Sequence, residues 1–228
     1  MKVAVALKAA HRSRASMNIN IRPERESDYR CVEELTRKAF WNLHSPGCDE
    51  HYLAHIMRSH PDFCPDLDFV AEYEGRVIAN IMYTRSYLVN ENGERLETLT
   101  FGPVSVLPEY QRKGVGSQLI RHTVELASAK GVRAIVIFGN PSNYVKHGFK
   151  GCRDFRVAVS EGRYPTCMLV LPLQKQSWPD GNWIYHGSEV YNYDKNAAED
   201  FDRGFPPFVK KHTPSQDEFA ILCRSIVV

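Results

Sequence analysis

Gln111-Arg112-Lys113-Gly114-Val115-Gly116 joins a strand-like run, Thr100 to Val106, to a helix-like run, Val115 to Lys130. The first N–H groups of a helix have no partner within it and point one way, toward an anion. Two glycines remove side chains that would hold a phosphate off the backbone, and they permit left-handed torsions. Arg112 and Lys113 add positive charge beside those donors. The segment is read as a pyrophosphate cradle made by Gln111, Arg112, Lys113, Gly114, Val115, Gly116 and Ser117. Its Q-x-x-G-x-G spacing is neither that of a P-loop nor that of a dinucleotide-binding fingerprint.

Around this unit the pattern alternates between strand and helix. Asn18 to Arg22 suits a first strand, and Ser27 can cap a helix carrying Val32, Leu35 and Ala39 on one side. A second helix is expected over Asp49 to Arg58. Strands follow over Leu67 to Glu74 and Val77 to Val89, joined by a tight turn at Glu74-Gly75-Arg76. Asn92-Gly93 signals a hairpin with positive φ at both turn positions, returning as Arg95 to Val106. The buried run Arg133 to Phe138 implies a parallel crossover after the helix. A short helix over Ser142 to Lys146 and a strand over Met168 to Leu173 complete the pattern.

Gly102-Pro103 interrupts the strand that feeds the cradle. Proline offers no N–H to a ladder, and a glycine there marks a bulge or a close backbone approach. The site is either a bulge at an exposed edge or the point where the strand is pried from its neighbour. The adjoining loop favours the second.

Charge excludes some functions. With 29 basic and 27 acidic residues there is no polyanion-binding balance, so nucleic acid is not an expected partner. No apolar run approaches the ~20 residues that span a bilayer, so no membrane is expected and the location is read as cytoplasmic. Six cysteines without C-x-x-C spacing read as reduced thiols. His44, His51, His55 and His60 lack the glutamate and third ligand of a zinc site, so no metal is expected and they are read as solvated or capping.

Three segments are expected: an N-terminal arm over residues 1–18, disordered or leader-like, a main domain over 19–173 and an extension over 174–228. The aromatic content of the last argues that it packs. Its roles stay open between completing the core, walling a pocket and making a homodimer contact.

Val106-Leu107-Pro108-Glu109-Tyr110-Gln111-Arg112-Lys113-Gly114-Val115-Gly116 resembles the acyl-CoA signature of the GNAT N-acetyltransferase superfamily, [VL]-x-P-x-[YF]-[QR]-x-x-G-[VI]-G. Asn140 to Phe149 resembles a later motif of that family, in which a tyrosine precedes a Gly-Phe pair by four residues. The resemblance is strongest over residues 100 to 150 and extends from about 19 to 173. It implies an α/β fold with a mixed, mostly antiparallel central sheet, splayed between two parallel strands and flanked by helices on both faces.

It also implies acetyl-CoA as co-substrate, with pantetheine lying in the splay along the backbone of Val104 and Val106. Tyr144 matches the residue proposed in such enzymes to protonate the departing thiolate; as a phenol it is a donor at neutral pH. Its bland alternative is a core tyrosine. Asn140 and Asn143 either bond pantetheine or an ordered water, or cap the short helix. The expected reaction is N-acetylation of a primary amine of a small molecule or peptide by direct attack. The rival is an inactive CoA-binding sensor. No general base stands out among Glu72, Glu97 and His147, and a cysteine nucleophile is disfavoured.

Overall fold

The computed structural model describes residues 17–174 and 178–227. The expected arm over 1–18 lies outside the described residues except for its last two. In chain order β1 (Asn20–Pro23), α1 (Tyr29–Phe40) and α2 (Glu50–Met57) precede β2 (Phe69–Tyr73), β3 (Arg76–Asn90) and β4 (Arg95–Val106). Then come α3 (Val115–Ala129), β5 (Ala134–Phe138), the short helix α4 (Pro141–Tyr144) and the small strands β6 (Lys150–Gly151), β7 (Val157–Ala158) and β8 (Tyr164–Pro165). β9 (Met168–Pro172), β10 (Trp183–His186), α5 (Lys195–Asp202), α6 (Pro214–Arg224) and β11 (Ile226–Val227) end the chain.

The main sheet runs β1-β2-β3-β4-β5-β9-β6, antiparallel along this path except for the parallel pair β4–β5. The expected mixed fold is therefore present. One face carries α3: the Tyr83 hydroxyl bonds Thr123 of that helix at 2.8 Å. The other carries α1 and α2, where Thr36 bonds Ser105 at 2.8 Å and Met82 packs with Leu53, Ala54 and Met57. Side chains such as Tyr83, Ile135 and Ile137 are wholly buried in the central core, each stabilising by ~1.5–3 kcal/mol through lost water contact.

Both hairpin turns form where expected, and one differs in its torsions. The turn with positive φ at both positions is Glu74-Gly75, at 51° and 76°, between the paired Tyr73 and Arg76. At the other hairpin only Gly93 has positive φ. There Asn90 Oδ1 accepts the amides of Asn92 and Glu94 at 3.0 and 2.9 Å, holding the loop as an Asx turn and leaving the left-handed position to Gly93 alone. At the start of α1 a 3-10 turn over Glu26–Asp28 replaces the expected Ser27 cap, because Asp28 is fixed by both Arg22 and the Arg25 amide. Helix α1 also buries Glu33, Thr36 and Arg37, three polar residues beyond the apolar set Val32, Leu35 and Ala39.

The stretch after residue 173 is tied to the rest at both ends. Strand β10 pairs with the far end of β3 and with β7. Helix α5 lies on α2, and Arg37 of α1 reaches Asp202 at 2.5 Å. Helix α6 begins beside the α1–α2 loop, where Gln216 donates to Asn42 O at 3.0 Å, and ends where β11 pairs β8.

Candidate active site

The mouth of α3 is built from backbone. Arg112 takes φ 57° and Gly114, the N-cap, φ 89°. A side chain at Gly114 would be strained by that torsion alone. The first helical bond is Gln118 N–H to Gly114 O at 3.0 Å, so the amides of Val115, Gly116 and Ser117 precede the ladder and have no partner within the helix. No side chain caps them. Gly116 is different. Its φ is not in the left-handed range, and an added Cβ would meet only Val106 Cγ2, at an ordinary 3.4 Å. Neither torsion nor packing requires glycine there, so its bareness matters only to something approaching from outside. Arg112 and Lys113 are exposed beside the mouth.

Next to the mouth the sheet is open. Strands β4 and β5 are paired only at Leu99–Ile135. At Gly102-Pro103 the register against β3 slips, with Tyr83 facing Phe101 and Ile81 facing Val104, so two residues of β4 oppose Met82. This is a bulge inside the sheet, where β4 leaves β5, not at an outer edge. Beyond it Leu107 N–H donates to Ile78 O at 2.9 Å. Antiparallel alternation then turns the backbone groups of Val104 and Val106 away from β3, toward the gap. Gln111 Nε2 occupies one of them, the Val106 carbonyl, at 3.0 Å. The Val104 N–H and C=O and the Val106 N–H remain along the opening, an unpaired strand edge that an extended amide chain can match.

Tyr144 stands on the α3 side of that opening. Its ring lies 5.9 Å from Phe101 and 5.9 Å from Phe149, and a Cβ on Gly139 would come within 2.6 Å of its Cε2. Gly139 is thus bare because Tyr144 lies over it. Burial alone pushes the Tyr144 phenol up to about 12, so it stays protonated at neutral pH. Asn140 Oδ1 accepts from Ser142 N–H at 3.0 Å and caps α4, while Asn143 is exposed.

Residues 35–149, half of the chain, match the family model described as Acetyltransferase (GNAT) family, a span that includes this loop and gap. The chain belongs to the GNAT acetyltransferase family. A stretch of 88 residues is 35% identical to the uncharacterized N-acetyltransferase YjhQ of Escherichia coli, covering 39% of this chain and 48% of YjhQ. The chain thus spans about half the length of that curated relative. The uncharacterized N-acetyltransferase YhbS of E. coli is 28% identical over 57% of this chain and 72% of its own length. Among solved structures, a GNAT acetyltransferase from Brucella melitensis in complex with acetyl-CoA aligns over 77% of this chain and 99% of its own, at 25% identity and TM-score 0.57. YhbS in complex with CoA aligns over 80% and 97%, at 21% identity and TM-score 0.66, a likeness of fold.

Around the site of this GNAT chain the candidate bases are occupied or remote. Glu72 accepts from Arg22 at 2.9 Å and Glu97 from Arg95 at 2.6 Å. His147 is turned toward α3, where burial first, then Lys146 and Arg121, lowers its pKa and keeps it neutral. Cys152 and Cys167 offer no nucleophile. Burial raises Cys152 to about 11 and Cys167 to about 12, so both are thiols at neutral pH. No cluster of three or more metal-ligating side chains occurs among the described residues. His51 is not solvated, as the sequence reading expected, but wholly buried against Phe201 and Phe205. His55 accepts or donates to Glu33 at 2.8 Å.

The residues that sequence reasoning missed come from the other face of the opening. Tyr191 donates to Gly102 O at 3.3 Å, at the bulge itself, and Tyr185 bonds Thr100 at 2.6 Å. Phe138, the last residue of β5, lies 5.4 Å from the Tyr185 ring and is 45% exposed. The one signal in the chain was the aromatic density after residue 173. Nothing in local spacing aims those rings at β4.

Proposed function

We propose that this GNAT chain is an acetyl-CoA-dependent N-acetyltransferase that transfers an acetyl group to a primary amine of a small molecule or peptide by direct attack. The observation that carries the reading is the meeting of two unpaired backbone surfaces: the open first turn of α3 and the gap beside Val104 and Val106. A diphosphate bound at the first takes the bare amides of Val115, Gly116 and Ser117, with Arg112 and Lys113 as counter-charge. A pantetheine chain suits the second, because its two amides can bond to a strand edge as a neighbouring strand does. Asn140 and Asn143 stand at the end of β5, beside that path. The related GNAT structures support the co-substrate: one was solved with acetyl-CoA, another with CoA.

Held this way, the thioester carbonyl lies near main-chain N–H groups freed by the bulge, and one such donor is worth ~3 kcal/mol to a developing oxyanion. The amine nitrogen bonds to the acetyl carbon, the C–S bond breaks, and one N–H proton of the amine ends on sulfur. Tyr144 acts on the sulfur. With its phenol near 12, full transfer to a thiolate whose own pKa is ~8.5 runs uphill, so Tyr144 serves as a hydrogen-bond donor to developing negative charge. Such a charge-assisted bond is worth ~1.5–3 kcal/mol. Since Cys152 and Cys167 are protonated, no acyl-enzyme on cysteine is invoked.

A cytoplasmic location belongs to the same proposal: no helix among the described residues is long and apolar enough to cross a membrane. The partners are then acetyl-CoA and an amine, with no nucleic acid; a homodimer remains a role for the chain beyond residue 173.

Thiol detection with acetyl-CoA and a panel of amines tests the reaction, and CoA release requiring an amine is the expected result. Tyr144→Phe is expected to lower kcat by about 10–100-fold with acetyl-CoA affinity changed less than twofold. Tight acetyl-CoA binding with no release for any amine identifies the chain as a sensor instead. Equal turnover in the phenylalanine variant removes Tyr144 from the mechanism.

A further inference from the structure

The face of the opening opposite Tyr144 carries hydroxyls in place of charges. Ser86 and Thr98 bond each other at 2.8 Å, Thr100 bonds Ser86 at 3.1 Å, and Tyr185 closes on Thr100 at 2.6 Å. Tyr191 gives its proton to Gly102 O and lies 3.3 Å from Thr84, leaving its oxygen able to accept. Two features show that the tyrosines are seated rather than draped. A Cβ on Gly187 would fall 2.8 Å from the Tyr185 hydroxyl, so that ring has its own vacated space. Val190, beside Tyr191, is buried against Met82 and α2.

Burial raises both phenols above the ordinary tyrosine range, and no carboxylate, ammonium, guanidinium or imidazole is among the groups acting on them. Beside Tyr185, with ring centroids 5.4 Å apart, is Phe138, an aromatic side chain at the end of β5 left 45% exposed. An uncovered ring beside half-buried tyrosines is a surface that gains by receiving an apolar body.

We infer that Tyr185, Tyr191 and Phe138 form the acceptor wall of this GNAT site, and that it takes its nucleophile as an uncharged, weakly basic amine carried on an aromatic or apolar group. The inference rests on the transferase reading for the place of the acetyl group, and it names the acceptor class for that site. An alkylamine with a pKa of ~10 is neutral in about one molecule per thousand at pH 7, and a wall without a carboxylate gives its cation no partner for the lost water. An arylamine is already neutral. One of its N–H groups can donate to the Tyr191 oxygen while its ring lies on Phe138 and its lone pair stays free for the acetyl carbon. The amine N–H proton then leaves for sulfur as the C–N bond forms, so the wall need supply no base of its own.

Calorimetry of the CoA-loaded chain at pH 7.5 with 4-ethylaniline and with 2-phenylethylamine, near-equal in size, tests this. The arylamine is expected to bind at least about tenfold tighter. Tyr191→Phe and Phe138→Ala should each weaken it by about five- to tenfold while CoA affinity changes less than twofold. Equal or tighter binding of the alkylammonium overturns the inference, as does unchanged arylamine affinity in both variants. Arylamine binding that follows these expectations without any acetyl transfer would sink the transferase reading and leave the wall standing.

Discussion

The mouth of α3 and the strap that follows residue 173 are fastened in opposite ways. The mouth owes its shape to torsions and missing side chains: φ 57° at Arg112, φ 89° at Gly114, and no Cβ at Gly116. The strap is fastened by side chains across great sequence separation. Arg37 of α1 meets Asp202, Gln216 caps Asn42 O, and Trp41 donates to Val209 O at 3.0 Å. A backbone device is robust to most substitutions and binds whatever fits its amides. A side-chain clasp fails at single residues but can decide what reaches the sheet. On the proposed function, that division would put a shared co-substrate at the first region and a chain-specific acceptor at the second.

Removing the clasp should have the largest effect. Asp202 accepts from Arg37 Nε at 2.5 Å and Nη2 at 3.3 Å, and the Arg37 side chain is only 3% exposed. Asp202→Ala leaves that guanidinium buried with the Pro206 carbonyl as a neutral partner, a loss of ~3–5 kcal/mol. Thermal unfolding should report it. If the two regions are as separable as their fastenings suggest, acetyl-CoA affinity in the folded fraction changes less than threefold. A parallel collapse of affinity would show that the strap supports the mouth as well.

The converse substitution is Gly116→Leu. Its Cβ has room within the protein, so the melting temperature should hardly move, while the side chain blocks the helix mouth. Acetyl-CoA binding is expected to fall at least about 100-fold, ~2.7 kcal/mol. Retained affinity by calorimetry would remove the cradle and with it the mechanism.

The same contrast explains what could be read in the chain before its structure. The strand–loop–helix unit, the hairpins and the buried β5 were legible because local pattern dictates them: glycine spacing, alternation, a continuous apolar run. The break at Gly102-Pro103 was legible for the same reason. Buried Arg37 and His51 were not, since nothing near either residue in sequence announces Asp202. Nor were the seats of Tyr185 and Tyr191, which depend on β10 pairing with β3, a contact about a hundred residues apart. At the Asn92-Gly93 hairpin only the torsions were misread, because one asparagine side chain, Asn90, outweighed the torsional preference of Asn92-Gly93.

Acid should loosen the strap through His51 of α2. His51 is wholly buried, its Nε2 3.1 Å from Asp202 Oδ1 at an angle that makes no hydrogen bond. Burial first lowers its pKa to about 4, Asp202 opposing and Arg37 reinforcing. The folded value lies below the unfolded ~6.5, so the unfolded chain binds more protons between them. This contribution is intact above pH 6.5 and is lost as pH falls toward 4, up to ~3 kcal/mol. His51→Gln should flatten that decline in a series of denaturant melts. An equally steep decline in the variant would place the acid sensitivity elsewhere.

The smallest expected effect probes where the two surfaces of the proposed CoA site join. Gln111 is exposed, and its side chain donates from Nε2 to Val106 O at 3.0 Å. That bond silences the one backbone acceptor of β4 that would otherwise face the gap between Val104 and the helix mouth. Gln111→Ala removes a neutral, solvent-accessible hydrogen bond, so folding stability should change by less than ~1 kcal/mol. Acetyl-CoA affinity should fall about three- to fivefold, because the end of β4 loses its tie to the loop that carries the amides. Gln111→Glu separates positioning from charge. It cannot donate to the carbonyl, and it sets a carboxylate beside the diphosphate, so affinity should drop further than in the alanine variant and recover in part with salt. Equal losses in the two variants would mean that the side chain does not face the anion, and native affinity in both would mean that it does not tie the strand to the loop either.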